Sequence, residues 1–424
     1  MPEFNCDRCQ KTFQTRAQLT SHQNRKTPCK APTNEIIVPE LKKDLGQFFT
    51  SADSLQTFVF DHVKHKGSTL LEPSFGAGHL LKPFLQYNPN YPMVCYELDH
   101  TIVPVVPFNQ HQMTIYADFT KQEIRQRYKT IIGNPPYIKQ SSGNLYIKFI
   151  EQCYELLEPD GELLFIVPSD FFKLTSASAI ITKLAENGSF TDVLFPHDET
   201  LFKGASIDVT AFRYEKNLNH SKKPNPTTTV NGKSMLCNVM NGIVTFSDSE
   251  QTGRPLSDTF DVYVGLVSGR DEIYRVPFGN VDVLCDKGKA DRFIFPESYP
   301  TNNKAIDDHL LANKGALLER KIRKFSESNW FEWGAPRNLT AIRANLGNPC
   351  IYVKNLTRNK EVSFLGRVQF FGGSLLCLIP KKAMTETALQ TVIDFLNSET
   401  VQKDYLYANR FKIGHKQVSN ILLS

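Results

Sequence analysis

Between about Leu45 and Lys216 the chain falls into short apolar blocks separated by amphipathic ones, and the blocks read as strands alternating with helices. Ser68–Pro73 is an apolar run that closes in Ser-Phe-Gly-Ala-Gly, the pattern of a strand entering a tight turn. His79–Gln86 continues as a helix, Met93–Leu98 is a second strand, Thr114–Asp118 a third and Thr130–Gly133 a fourth. Within Leu145–Leu157, residues Ile147, Ile150, Tyr154 and Leu157 recur at helical spacing. Glu162–Val167 then predicts a strand, Ala177–Glu186 a helix and Phe190–Phe195 a strand. The first part of Ile207–Tyr214 alternates Ile207, Val209 and Ala211 against Asp208, Thr210 and Arg213. Such alternation predicts an α/β fold with a parallel, doubly wound, Rossmann-like sheet. Ligands of such a sheet bind at the carboxyl ends of its strands.

The flanks differ. Residues 1–31 are polar and carry three cysteines, and a polar stretch from Lys216 to Thr229 reads as a connection. The remainder mixes short strands and helices without simple alternation. The expected division is a small N-terminal unit (1–31), a catalytic α/β domain (32–220) and a C-terminal α+β domain (221–424). No apolar run has the length of a membrane span and no signal peptide is evident. A soluble intracellular protein is expected, in cytoplasm, nucleus or a virus-infected cell. The net charge of +5 permits a nucleic-acid partner. Its distribution says more: Leu318–Gln369 holds ten basic residues against four acidic, a balance suited to phosphates as well as to a solvated face.

Candidate chemistry sits at strand ends. Gly76 and Gly78 let the backbone turn and approach a ligand after the first strand. Leu81 stands where a dinucleotide fingerprint has its third glycine, which disfavours a pyrophosphate. Glu97 ends the second strand and can accept from two ribose hydroxyls. Asp118 and Phe119 follow the third strand, one able to accept from an adenine amine and the other to pack on the ring. Glu72 can accept from the ammonium of a methionine. A nucleoside without pyrophosphate fits this set, and S-adenosylmethionine is one.

Asn134-Pro135-Pro136-Tyr137 follows the fourth strand. An adenine amine is a poor nucleophile because its lone pair is delocalised into the ring. The Asn134 side-chain oxygen and the Pro135 carbonyl are two acceptors that favour a tetrahedral nitrogen, and the prolines preorganise them. Tyr137 offers a face for stacking on a flipped-out base. A rigid turn after a strand is the bland alternative.

On Gly46 to Thr50, Leu71 to Gly78, Tyr96 to Asp99, Ala117 to Phe119 and Asn134 to Tyr137, the chain resembles the gamma-type N6-adenine DNA methyltransferases of restriction–modification systems. The resemblance implies transfer from S-adenosylmethionine to adenine in double-stranded DNA, and a C-terminal target-recognition domain. It implies that Phe48, Phe49 and Thr50 border the methionine end of the cofactor, and that a second aromatic clamps the flipped base. Phe202 best matches that position, with Phe195 as rival. A cognate restriction endonuclease acting separately is compatible with it, and a monomer is expected. Three other readings share parts of the pattern: a protein glutamine N5-methyltransferase, an RNA methyltransferase and a catalytically inactive DNA-binding relative. The first lacks so long a C-terminal region.

Cys6, Cys9, His22 and Cys29 are spaced as four ligands of a structural zinc, with Phe13 and Leu19 placed as a small ββα core. The unit resembles a C2H2-type finger in which Cys29 replaces the last histidine. In the C-terminal region, Ser268 and Arg270, the cations Arg320, Lys321, Arg323 and Lys324 beside Trp330 and Trp333, and the basic stretch Phe411–Lys416 are candidate DNA contacts.

Overall fold

A computed structural model describes residues 4–6, 12–13, 15–23, 48–140, 143–202, 207–217, 227–250, 252–407 and 410–423. At the N-terminus, β1 (Phe4–Asn5) pairs antiparallel with β2 (Thr12–Phe13), and α1 (Arg16–Gln23) packs on the hairpin. This is the expected ββα order.

The central unit then runs α2 (Asp53–His62), β3 (Leu70–Glu72), α3 (Lys82–Tyr87), β4 (Met93–Glu97), β5 (Gln112–Tyr116) and β6 (Tyr128–Gly133). It continues through a small hairpin, β7 (Lys139–Gln140) and β8 (Gly143–Asn144), to α4 (Leu145–Leu156), β9 (Leu157–Pro168), α5 (Ser178–Glu186), β10 (Gly188–Leu194) and β11 (Val209–Lys216). The strand order is β5-β4-β3-β6-β9-β11-β10, and the first five are mutually parallel. β11 runs antiparallel between β9 and β10, so the sheet is mixed rather than wholly parallel.

Alternate residues of each strand feed opposite layers. Leu70, Ile132 and Leu164 pack with Leu55 and Val59 of α2 and Phe84 of α3. Leu71, Ile131 and Leu163 pack with Ile147 and Ile150 of α4 and Ile181 of α5. Each fully buried aliphatic side chain contributes roughly 1.5–3 kcal/mol. β11 departs from the alternation read in its sequence, because Thr210 and Arg213 are buried too. Arg213 Nε bonds Glu162 Oε2 at 2.8 Å, and Glu162 also accepts from Thr130 and from the Lys64 and His65 amides. A central strand is covered on both faces, so its polar residues must pair inside.

Three further strands, β12 (Thr227–Val230), β13 (Lys233–Met240) and β14 (Ile243–Ser247), extend this sheet to ten strands from the β10 edge. A boundary at 220 therefore divides one sheet; the sheet ends at Ser247. These strands cover an edge that would otherwise present unpaired backbone groups.

The C-terminal region is α+β. A four-stranded antiparallel sheet orders Phe260–Val264, Leu375–Pro380, Pro349–Lys354 and Ser363–Arg367. Ile351 and Val353 face the helix Glu386–Leu396, while Cys350 and Tyr352 face a core containing Trp330 and Trp333. Residues 410–423 return to the central unit, with Lys412 Nζ 2.6 Å from Asp170 Oδ2 and Asn420 Nδ2 donating to the Met240 carbonyl at 3.2 Å. Among the described residues no helix is long and apolar enough to cross a membrane.

Candidate active site

The expected polar residues converge at the carboxyl edge of the parallel strands. Glu72 ends β3, Glu97 ends β4, Asp118 lies just past β5 and Asn134 just past β6. A cleft of about 320 Å³ lies among the last three, walled by Phe48, Phe49, Gly76, Glu97, Asp118 and Asn134, and Glu72 lines a small separate pocket beside it. Gly76 and Gly78 take left-handed backbone angles (φ +54° and +79°). A Cβ at Gly78 would come 2.8 Å from Val106 Cγ2, so the turn requires glycine there on steric grounds as well.

Glu97 locks this turn: Oε2 accepts from the Gly76 amide and Oε1 from the Asp99 amide, both at 2.8 Å. Burial raises its pKa, and the amide bonds oppose that rise. An ionised carboxylate has about four lone-pair directions, so acceptor capacity toward a ligand remains. Glu72 is 1 % exposed and accepts from the Ser74 amide at 3.0 Å. Burial pushes its carboxyl up to about 8, with a smaller upward push from Glu97. Asp118 behaves oppositely. Burial raises it, but hydrogen bonds from Lys121 and Thr120 outweigh that and hold it below the ordinary range. Its Oδ1 caps the following turn through Thr120, and Lys121 Nζ lies 2.9 Å from Oδ2. That lysine is largely exposed, so the pair is solvent-screened. Phe119 lines the cleft while its ring is buried against Phe149 and Tyr96.

Asn134 is held from both ends. Its Nδ2 donates to the Phe48 carbonyl at 2.7 Å and to Thr50 Oγ1 at 2.9 Å. Its Oδ1 accepts from the Tyr137 hydroxyl at 2.5 Å. Among the described residues no donor is bonded to the Pro135 carbonyl. Burial pushes the Tyr137 hydroxyl well above its usual value, so it stays a protonated donor. Phe48 stacks on Tyr137 at 5.5 Å and meets Phe202 edge-on at 5.9 Å. Phe202 is 2 % exposed in the cluster that also receives Phe48 and Tyr137. Phe195 instead packs with Phe172, Phe246 and His197, away from that group.

Two lining residues were not singled out in the sequence: Ile138, in the loop after the Asn-Pro-Pro-Tyr stretch, and Phe149, on α4. Gln56 was also missed, although a polar side chain on the buried face of α2, among Leu55, Phe58 and Val59, is a readable anomaly.

At the N-terminus, Cys6 and His22 are buried (2 % and 6 % exposed), and the His22 ring lies 4.9 Å from Phe13. Cys9 and Cys29 lie outside the described residues, and among those described no group of three or more metal-ligating side chains occurs. The C-terminal candidates divide. Arg320 is 5 % exposed and spends its guanidinium on the carbonyls of Leu317, Ser268, Glu332 and Trp330. Trp330 and Trp333 are core, and Ser268 is buried, accepting from the Arg270 amide. These four hold a loop rather than face solvent. Lys321, Lys324 and Arg337 are exposed.

The sheet order and the glycine turn at its carboxyl edge define a methyltransferase-like α/β fold. Kinship agrees: residues 106–202 match the family described as Eco57I restriction-modification methylase. The type II methyltransferase M.HincII of Haemophilus influenzae is 29 % identical over 200 residues, covering 42 % of this chain and 38 % of that protein. The modification methylase CviBIII of Paramecium bursaria Chlorella virus NC1A is 27 % identical over 160 residues, covering 32 % and 41 %. The chain thus spans less than half the length of these relatives. A solved structure of the type IIL restriction-modification enzyme MmeI in complex with DNA aligns over 89 % of this chain and 64 % of its own, with a TM-score of 0.51 and 9 % identity, which bears on fold alone. Over the matched stretch the chain is similar to type II methyltransferases of restriction–modification systems.

Proposed function

We propose that the protein transfers a methyl group from S-adenosylmethionine to N6 of a flipped-out adenine in double-stranded DNA. The orientation of the Asn134 amide carries the reading: its nitrogen is committed to Phe48 and Thr50, so its oxygen is the end available to an incoming amine. The residues present fit the cofactor. Glu97 retains acceptor capacity for ribose hydroxyls, Asp118 would accept from the adenine amine, and the buried Glu72 is a carboxyl that a nearby ammonium would ionise. When bound, the cofactor supplies an electrophilic methyl. Asn134 Oδ1 and the Pro135 carbonyl accept the two N–H bonds of the amine and localise its lone pair. Tyr137 stacks on the base and Phe202 closes the far side. The Tyr137 hydroxyl yields its bond to Asn134 Oδ1 as the amine arrives.

The C-terminal region acts in this reading as the target-recognition domain, with Lys321, Lys324 and Arg337 toward phosphates. Residues 1–31 form a structural zinc finger through Cys6, Cys9, His22 and Cys29; the buried Cys6 and His22 on a ββα unit support it. The protein works inside the cell as a monomer, with any cognate endonuclease acting separately. The test is exposure of plasmid DNA, RNA and a glutamine peptide to the protein with labelled cofactor, followed by sequencing sensitive to modified adenine. Label in DNA at N6-methyladenine is expected. Label in RNA or peptide alone overturns the reading.

A further inference from the structure

The Asn134 amide has only one orientation that satisfies its surroundings. A backbone carbonyl can only accept, so the amide nitrogen must face Phe48 O, 2.7 Å away. The second acceptor on that side is Thr50 Oγ1 at 2.9 Å. Thr50 is 5 % exposed, and its own carbonyl accepts from Gln56 Nε2 at 2.8 Å. Gln56 is equally buried and stands in the first turn of α2, whose apolar face is anchored against the sheet. A chain of hydrogen bonds therefore runs from a packed helix through Gln56 and Thr50 to the amide.

We propose that Thr50, backed by Gln56, is a positioning residue that keeps the Asn134 oxygen, and not its nitrogen, toward the amine being methylated. This rests on the role given to Asn134 above. Without the Thr50 oxygen, the amide nitrogen keeps a single acceptor and the side chain gains freedom about its terminal torsion. A half-turn would aim two N–H donors at an amine that needs acceptors. The segment holding Phe48 and Thr50 also walls the cofactor cleft and the small pocket beside Glu72, so one stretch of backbone serves both halves of the site.

The experiment compares wild type, Thr50→Val, Thr50→Ser and Gln56→Leu in steady-state methylation of plasmid DNA, with thermal unfolding of each and a crystal structure of Thr50→Val. Loss of one net hydrogen bond predicts that Thr50→Val lowers kcat about 3- to 10-fold with the KM for DNA little changed. Thr50→Ser, which keeps the oxygen, recovers most of that loss, and Gln56→Leu lowers the same parameter. In the Thr50→Val crystal the Asn134 amide leaves its two-sided arrangement. An unchanged kcat, a loss confined to the KM of the cofactor, or an amide that stays in place overturns the proposal. If wild type methylates no DNA, the functional reading fails separately, and the Thr50→Val crystal still decides whether Thr50 positions the amide.

Discussion

Glu72→Gln isolates the cost of one buried charge. The carboxyl is 1 % exposed, and burial raises its pKa from 4.5 to about 8 despite the hydrogen bond from Ser74. Between those values the folded protein holds a proton that the unfolded chain has released. Stability therefore falls as pH rises from 4.5 through about 8, and levels off above. At its limit a shift of this size corresponds to roughly 5 kcal/mol. Glutamine keeps an oxygen for the Ser74 amide and carries no charge. The stability of the variant relative to wild type should thus be near zero at pH 5 and grow to about 3–5 kcal/mol by pH 9. Urea unfolding at pH 5, 7 and 9 reads this directly through the transition midpoints. Parallel pH profiles for the two proteins would refute the argument. The same carboxyl bears on ligand binding. At pH 7 a group with a pKa near 8 is about nine-tenths protonated, so an ammonium docking beside it should release close to one proton. Titration calorimetry in buffers of different ionisation heat measures that release. Equal release by wild type and Glu72→Gln would remove Glu72 from the cofactor site.

Other outcomes follow from the same geometry. Asn134→Ala should lower methyl transfer about 10²- to 10³-fold while cofactor affinity, measured by titration, persists. Tyr137→Ala should weaken capture of the extruded base by about 1–3 kcal/mol, seen as a smaller rise of 2-aminopurine fluorescence at the target position. Arg320→Ala should cost at least about 3 kcal/mol in denaturant unfolding, because four carbonyls lose their charged donor. Lys321→Ala and Lys324→Ala should instead leave stability unchanged and each reduce the salt dependence of DNA affinity by about one unit. Chelation of zinc should unfold residues 1–31, read by circular dichroism, and leave transfer on short DNA mostly intact.

The strand ends were legible because a parallel strand is an apolar run, and the first polar residue after it marks where a ligand can sit. Glu72, Glu97, Asp118 and Asn134 each announced themselves in that way, and all four border the same cleft or its small neighbour. The alternation at Thr210 and Arg213 does not by itself say where those side chains lie. Polar residues alternating with apolar ones suggest a wet face, yet β11 lies between two neighbours under two helical layers, and Arg213 pairs with Glu162 inside. Strands β12–β14 were unreadable as part of the sheet, since nothing local says that a hairpin after a polar connection returns to the β10 edge. The basic run shows where local pattern ends. Arg320 and Lys321 are adjacent and of one charge, yet the first is 5 % exposed and the second faces solvent. What separates them is the convergence of four carbonyls from Leu317, Ser268, Glu332 and Trp330 on one guanidinium. The Ser268 carbonyl alone lies 52 residues from Arg320 along the chain. Such convergence belongs to the tertiary path of the chain. A cation left in solvent and one that braces a loop can therefore share every local feature and differ only in which backbone oxygens the fold brings to them.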